Sequence, residues 1–207
     1  MKIENKTIQV YVRFKVLRKD GSVKYDSGKR KSKCFVLQFL QIIAAYFKCY
    51  DYPEVVSGVK DVTGTDRNVG PPEGPDYSAN FYSRINATTG EDTYGIVVGT
   101  GTAAVANDNY CLESKCGHGT GANQFLYGSM GFTEPEVAAG NVDYVMERSF
   151  TNGSGSAITV NEVGVYAKMY DASANLRYFC IIRDLTGGIE VGPEEVLVVE
   201  YTVRTTA

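Results

Sequence analysis

At 207 residues the chain has the length of one domain, or of one domain with a long excursion, and can bury a sizeable core. It holds 15 tyrosines, 9 phenylalanines and no tryptophan, a balance suited to sheet faces, because a tyrosine ring packs while its hydroxyl stays wet or paired. A net charge of -3 argues neither for nor against a polyanionic partner, and five cysteines are too few and too scattered for an extracellular disulfide scaffold, so reduced thiols are expected.

From the N-terminus, Met1 to Thr7 offers no apolar core for a signal peptide before Ile8. Residues 7–17 alternate, with Ile8, Val10, Val12, Phe14 and Val16 on one side and Gln9, Tyr11, Arg13 and Lys15 on the other, which predicts a half-buried strand. Lys19-Asp-Gly-Ser22 is a hairpin turn, since Asp-Gly supplies the positive φ such turns need, and a short return strand follows over 23–25. This end of the chain is basic: residues 1–33 hold 11 Lys/Arg against 3 Asp/Glu, a net +8, and the other 174 residues are at -11. Opposite patches of this kind steer association between neighbours; a solvated basic hairpin is the plainer alternative.

Lys29-Arg-Lys-Ser-Lys33 leads into a predicted helix over roughly 32–50, with Ser32 as its cap. Phe35, Phe39, Ile42, Ile43, Tyr46 and Phe47 are its expected apolar face. The apolar run from Cys34 to Phe47 is too short and too polar to span a bilayer. Residues 51–92 have the poorest periodicity, and Gly70-Pro-Pro-Glu-Gly-Pro75 predicts a surface loop or arm that either lies on a neighbour, with Tyr77, Phe81 and Tyr82 as anchors, or packs back on its own domain. Strands are predicted again over 95–98, 123–132, 142–151, 157–169, 177–184 and 196–204. Asn152-Gly-Ser-Gly-Ser156 and Leu185-Thr-Gly-Gly188 are read as turns between them, and no internal repeat stands out.

The motifs that could carry chemistry are sparse. Gly99-Thr-Gly-Thr-Ala-Ala104 matches the G-x-G-x-x-A of a dinucleotide site, but turn residues at Ala106-Asn-Asp-Asn109 stand where that site needs a long helix. A glycine-rich loop between strands is the expectation. Cys111, Cys116 and His118 place three metal-ligand types within eight residues, without an evident fourth. His118 is the only histidine and G-x-S-x-G is absent, which restricts acid-base and nucleophilic chemistry. Carboxylate pairs (Glu134 with Glu136, Glu194 with Glu195) flank Pro135 and Pro193 in loops rather than a cleft. The Asn-x-Ser/Thr triplets at Asn5, Asn86 and Asn152 carry meaning only in a secreted chain. Arg148, Glu162, Arg183 and Asp184 interrupt or end apolar strands, and are read as an ion-pair network that fixes strand register or a subunit contact.

Several blocks in order, Gly95-Ile-Val-Val-Gly-Thr-Gly-Thr-Ala-Ala104, Asn109-Tyr-Cys-Leu112, Arg148-Ser-Phe-Thr-Asn152, Ile158-Thr-Val-Asn-Glu-Val-Gly-Val-Tyr166 and Ile181-Ile-Arg-Asp-Leu185, resemble a recurrent pattern. It is similar to that of poorly characterised virion structural proteins of tailed phages and related viruses. The resemblance covers roughly 95–203, with a weaker echo over 34–47. It implies a β-sandwich that assembles on the capsid surface or in the neck or tail, and it brings no catalytic residues; Cys116-Gly-His118 is particular to this chain.

The expected fold is therefore mainly β (α+β in content): an antiparallel, jelly-roll-like β-sandwich with one packed amphipathic helix. One domain over 1–207 would carry an N-terminal hairpin plus helix (about 7–50) and an irregular Pro/Gly-rich excursion (about 63–92). The expected function is that of a non-enzymatic virion structural protein, made in the host cytoplasm, without cofactor or membrane. Its partners would be copies of itself and other virion proteins, nucleic acid being the lesser option because the basic cluster lacks interleaved aromatics. Candidate contact residues are Lys29, Arg30, Lys31, Lys33, Tyr77, Phe81, Tyr82, Arg148, Glu162, Arg183 and Asp184. The alternatives are a glycan-binding β-sandwich module for host attachment, disfavoured by the missing tryptophan, and a small metal-dependent enzyme at Cys111, Cys116 and His118.

Overall fold

Alternation in the first strand sets up the architecture. In β1 (Gln9–Leu17) the residues Val10, Val12, Phe14 and Val16 are buried and their neighbours are half-buried, as period-two geometry requires of a strand with one face on a core. The computed structural model describes residues 8–32, 35–49, 53–72 and 82–206. Strand accounts for 52% of the described residues and helix for 6%, so the fold is mainly β.

Two antiparallel sheets of unequal size form the sandwich. The larger runs β2 (Val23–Asp26), β1, β13 (Val196–Thr206), β10 (Asn141–Thr151), β8 (Gln124–Phe132) and β7 (Gly117–His118), with β3 (Arg30–Lys31) beside β1 and β9 (Glu136–Ala138) beside β10. All its pairs are antiparallel except β7 with β8. The smaller sheet is β12 (Leu176–Val191), β11 (Ile158–Tyr170) and β6 (Gly95–Gly99). Phe14, Phe150, Val199 and Tyr201 of the large sheet join Ile96, Val98, Val163 and Val165 of the small one in the main core.

Residues 185–188 are not the expected turn. β12 runs through them, and Thr186, Gly187 and Gly188 bulge opposite Asn161 between the pairs Glu162–Leu185 and Val160–Ile189. Gly187 and Gly188 both have φ +87, which a side chain would resist. The Thr-Gly-Gly text is turn-like because the bulge uses turn chemistry without reversing the chain.

The excursion is also more ordered at its start than the sequence suggests. β4 (Val56–Lys60) and β5 (Asp66–Val69) form a hairpin, whose turn uses the same device as the β11–β12 turn. In one, Asp61 Oδ1 accepts the amides of Thr63 and Thr65, and Oδ2 receives Arg67 Nε at 2.6 Å. In the other, Asp171 Oδ1 accepts the amides of Ser173 and Asn175, and Oδ2 receives Arg177 Nε at 2.9 Å. The two tips dock reciprocally: Val62 N donates to Tyr178 O and Ala172 N donates to Asn68 O. This small two-fold arrangement, not evident as a repeat in the sequence, seats the helix. α1 (Leu37–Lys48) packs Ile42 and Ala45 against Val59, Val69, Met169 and Phe179 in a second core.

The helix is shorter than expected and differently turned. Its cap position is Val36, without a side-chain cap bond, whereas Ser32 Oγ donates to Asp184 at 2.6 Å. The basic cluster does not abut its N-terminus, since Arg30 and Lys31 form β3 on β1. Its buried side is Gln38, Ile42 and Ala45, while Leu37, Leu40 and Phe47 are exposed.

Candidate functional site

The glycine-rich loop after β6 is an anion cradle that the chain fills with its own carboxylates. Glu162, fully buried on β11, accepts the amides of Gly101, Glu113 and Ser114 at 2.7–3.2 Å. Glu113 accepts the amides of Thr102 and Ala103 at 2.6 and 2.7 Å. Close approach explains the glycines: a Cβ on Gly99 would lie 2.7 Å, and one on Gly101 2.5 Å, from Glu162 Oε1. No helix follows the loop in the described residues, so the dinucleotide geometry is not met.

Arg183 completes this staple. Its guanidinium meets Glu162 Oε2 at 2.8 Å and also donates to Ala103 O, Ala104 O and Asn109 Oδ1. Glu162 and Arg183 sit on the face of the small sheet turned away from the large one, so the pair holds residues 100–114 over that face. Tyr166 lies on the same face, receives the Leu112 amide at 2.6 Å, and burial pushes its phenol well above the ordinary tyrosine range.

Arg148 does a comparable task without a carboxylate. Only 1% exposed, it donates to the carbonyls of Gly128, Tyr94, Ile96, Thr88 and Glu91, and its guanidinium lies 4.8 Å from the Tyr127 ring centre. Burial lowers its pKa from the usual arginine value. The residue pins the 88–96 segment onto the large sheet. Asp184 faces the sheet interface and accepts from Ser32 Oγ and from Tyr201 Oη at 3.0 Å.

These four residues do not form the single network expected of them: only Glu162 and Arg183 pair. All four are buried with partners inside the chain, so they serve internal structure, and the reading of them as partner contacts is corrected.

The basic hairpin is partly neutralised from within. Arg13 pairs with Asp26, Lys19 with Glu194, Lys24 with Glu195, and Lys29 approaches Glu200 at 4.0 Å. The Arg13 side-chain bond holds the Asp26 carboxyl far below the ordinary range. Arg30 donates to Leu185 O and Thr186 O and covers the Phe14 ring, while Lys29 and Lys31 are the exposed cations of the described part of the cluster. Tyr82 is partly exposed, with the Arg84 guanidinium 4.2 Å from its ring centre. Lys33, Tyr77 and Phe81 lie outside the described residues.

Cys111, Cys116 and His118 do not converge. Among the described residues no group of three or more His, Cys, Asp or Glu side chains could hold a metal. Cys116 is buried, which raises its thiol to about 11. His118 stands on β7, where its Nδ1 accepts the Tyr127 amide at 3.1 Å and its own amide donates to Asp92. Cys49, Cys111, Cys116 and Cys180 are free thiols.

Among the described residues, two groups of exposed apolar side chains stand out. One is the outer stripe of α1: Leu37, Leu40, Ala44 and Phe47, spaced three and four residues apart, with Leu40 63% and Phe47 87% exposed. The helix meanwhile turns Gln38 and Gln41 inward, where the Oε1 atom of each is buried without a hydrogen-bond partner among the described residues. The other is an overhang of the large sheet. Along β10 the inward positions run from Phe150, Arg148 and Met146, all buried, to Tyr144 and Val142, which are half-covered. Register places Val203 and Val10 in the row with Tyr144, and Val137 beside Val142. Val137 is 76% exposed, and Phe132 stacks on Tyr144 at the margin. The core face of this sheet thus continues beyond the small sheet that covers it.

Together the fold and these surfaces define a mainly β sandwich whose buried charges are satisfied within the chain and which also presents exposed apolar surface. Comparison with protein-family models, curated proteins and solved structures gives no match. No helix of the described residues is long and apolar enough to cross a membrane.

Proposed function

We propose that the chain is a structural component of a virus particle that works by packing against copies of itself and other particle proteins, not by turning over a substrate. The observation that carries the reading is the pairing of buried charges satisfied within the chain with two exposed apolar surfaces. Apolar patches of a few hundred Å² occur on monomers too, but they often mark functional surfaces, and two of them on one chain favour contact with a neighbour. The order of blocks over 95–203, similar to that of virion proteins, supplies the viral setting. Small contacts of this type become stable when a symmetric assembly repeats them.

Peptide mass spectrometry of density-purified particles from cells that produce the chain at its natural level tests the proposal. Recovery of the chain with the particle proteins, in fixed ratio to them, is the expected result. Recovery in the soluble fraction alone overturns it.

A further inference from the structure

The two uncovered surfaces match each other in size, polarity and charge. A helix of 12 residues is about 18 Å long and about 10 Å wide. The overhang spans β1, β13, β10 and β9, four strands that together measure about 19 Å across. Its two exposed rows are about 14 Å deep, on the order of 250 Å² in projection. That is small against the roughly 800 Å² each partner contributes to a standard dimer, so one such contact is weak by itself and gains its stability from repetition around an assembly. One helix lying across the strands fills the area.

Charge points the same way. α1 contains no acidic residue and ends on Lys48. Glu134 stands at the rim of the overhang, beside Pro135 between β8 and β9. Glu134 lies close enough to Tyr144 that its charge, after burial, helps to raise that phenol.

We propose that the outer stripe of α1 on one copy docks in the sheet overhang of the next, with Leu40 and Phe47 over Val137, Val142 and Tyr144 and Lys48 at the acidic rim. The contact rests on the self-association proposed above and gives it a direction. It joins two different surfaces, so it propagates head to tail and closes into a ring or continues as a filament, depending on the rotation between copies.

The test uses the full chain and two variants at fully accessible positions, Phe47→Asp and Val137→Asp, with masses read by native mass spectrometry and sedimentation velocity. Each variant alone is expected to lose assembly and run as a single chain with an unchanged thermal transition. Mixed, they are expected to form a one-to-one dimer and nothing larger, because the Phe47→Asp copy keeps a sound overhang and the Val137→Asp copy keeps a sound helix. A wild-type assembly that survives both substitutions overturns the helix–overhang contact and leaves self-association standing. Variants that dissociate but do not pair on mixing also overturn it. A wild-type chain that remains single overturns both this contact and the self-association beneath it.

Discussion

The centre of the molecule and its margins treat polar and apolar groups in opposite ways. Around the small sheet, ionised side chains are buried and every one is met: Glu162 by three amides and Arg183, Arg148 by five carbonyls. At the helix and the overhang, Phe47 and Val137 stand in water while Gln38 and Gln41 hold buried oxygens that have no partner among the described residues. The buried charges are satisfied within one chain, whereas apolar surface is left exposed. Burying a charge is tolerated only where partners are fixed in place, so the staples report rigidity. The outward apolar residues report contact.

The largest effect expected is from a charge with no partner. Val163→Asp places a carboxylate in the fully buried main core and should abolish soluble folding; a soluble variant with an intact thermal transition would contradict the strand placement. Next, Arg183→Met strands Glu162 in the interior and should destabilise by about 3–5 kcal/mol in denaturant titration. Glu162→Gln in the same background should recover part of that loss. If Arg183→Met were neutral, the loop over the small sheet would be held by something else.

A smaller change is expected at the paired hairpin turns. Asp61→Asn or Asp171→Asn weakens one set of turn bonds and should cost about 1 kcal/mol each. Burial tends to raise the Asp61 carboxyl, but bonds from Thr63 and Arg67 outweigh it and hold the group below its ordinary 3.8. The folded state then binds that proton less readily than the unfolded chain. Its stabilisation is present above pH 3.8 and is lost as the pH falls through the lower folded value. Asp61→Asn should flatten the melting curve's dependence on acid in that window, and an unchanged slope would remove Asp61 from the account. Least of all should Phe47→Asp affect the monomer, by within about 0.5 kcal/mol. A loss of several kcal/mol would place the residue in a core.

Most of the sheet was legible because strands with one wet face advertise period two. β1, β8, β10, β11 and β13 fall within a residue or two of their predicted limits. The misses have physical causes. β4 and β5 are short, mostly exposed and bulged at Gly58, so they show no alternation. The signal that would have found them is the shared spacing of Asp61, Thr63 and Arg67 with Asp171, Ser173 and Arg177. Composition announces an apolar helix around 37–48 but not which side is buried, and here the seat built by the two hairpin tips chose Ile42 and Ala45 over Phe47. Buried charges at 148, 162 and 183 are recognisable as interruptions of apolar strands, yet their partners are backbone groups of distant loops, which no local pattern encodes.

Native mass spectrometry of the unaltered, full-length chain goes to the root of the account. A ladder or closed set of multimers that persists as the sample is diluted toward micromolar protein is the predicted spectrum. A single-chain species at every concentration, with Phe47 and Val137 rapidly modified by a surface-labelling radical, would contradict it.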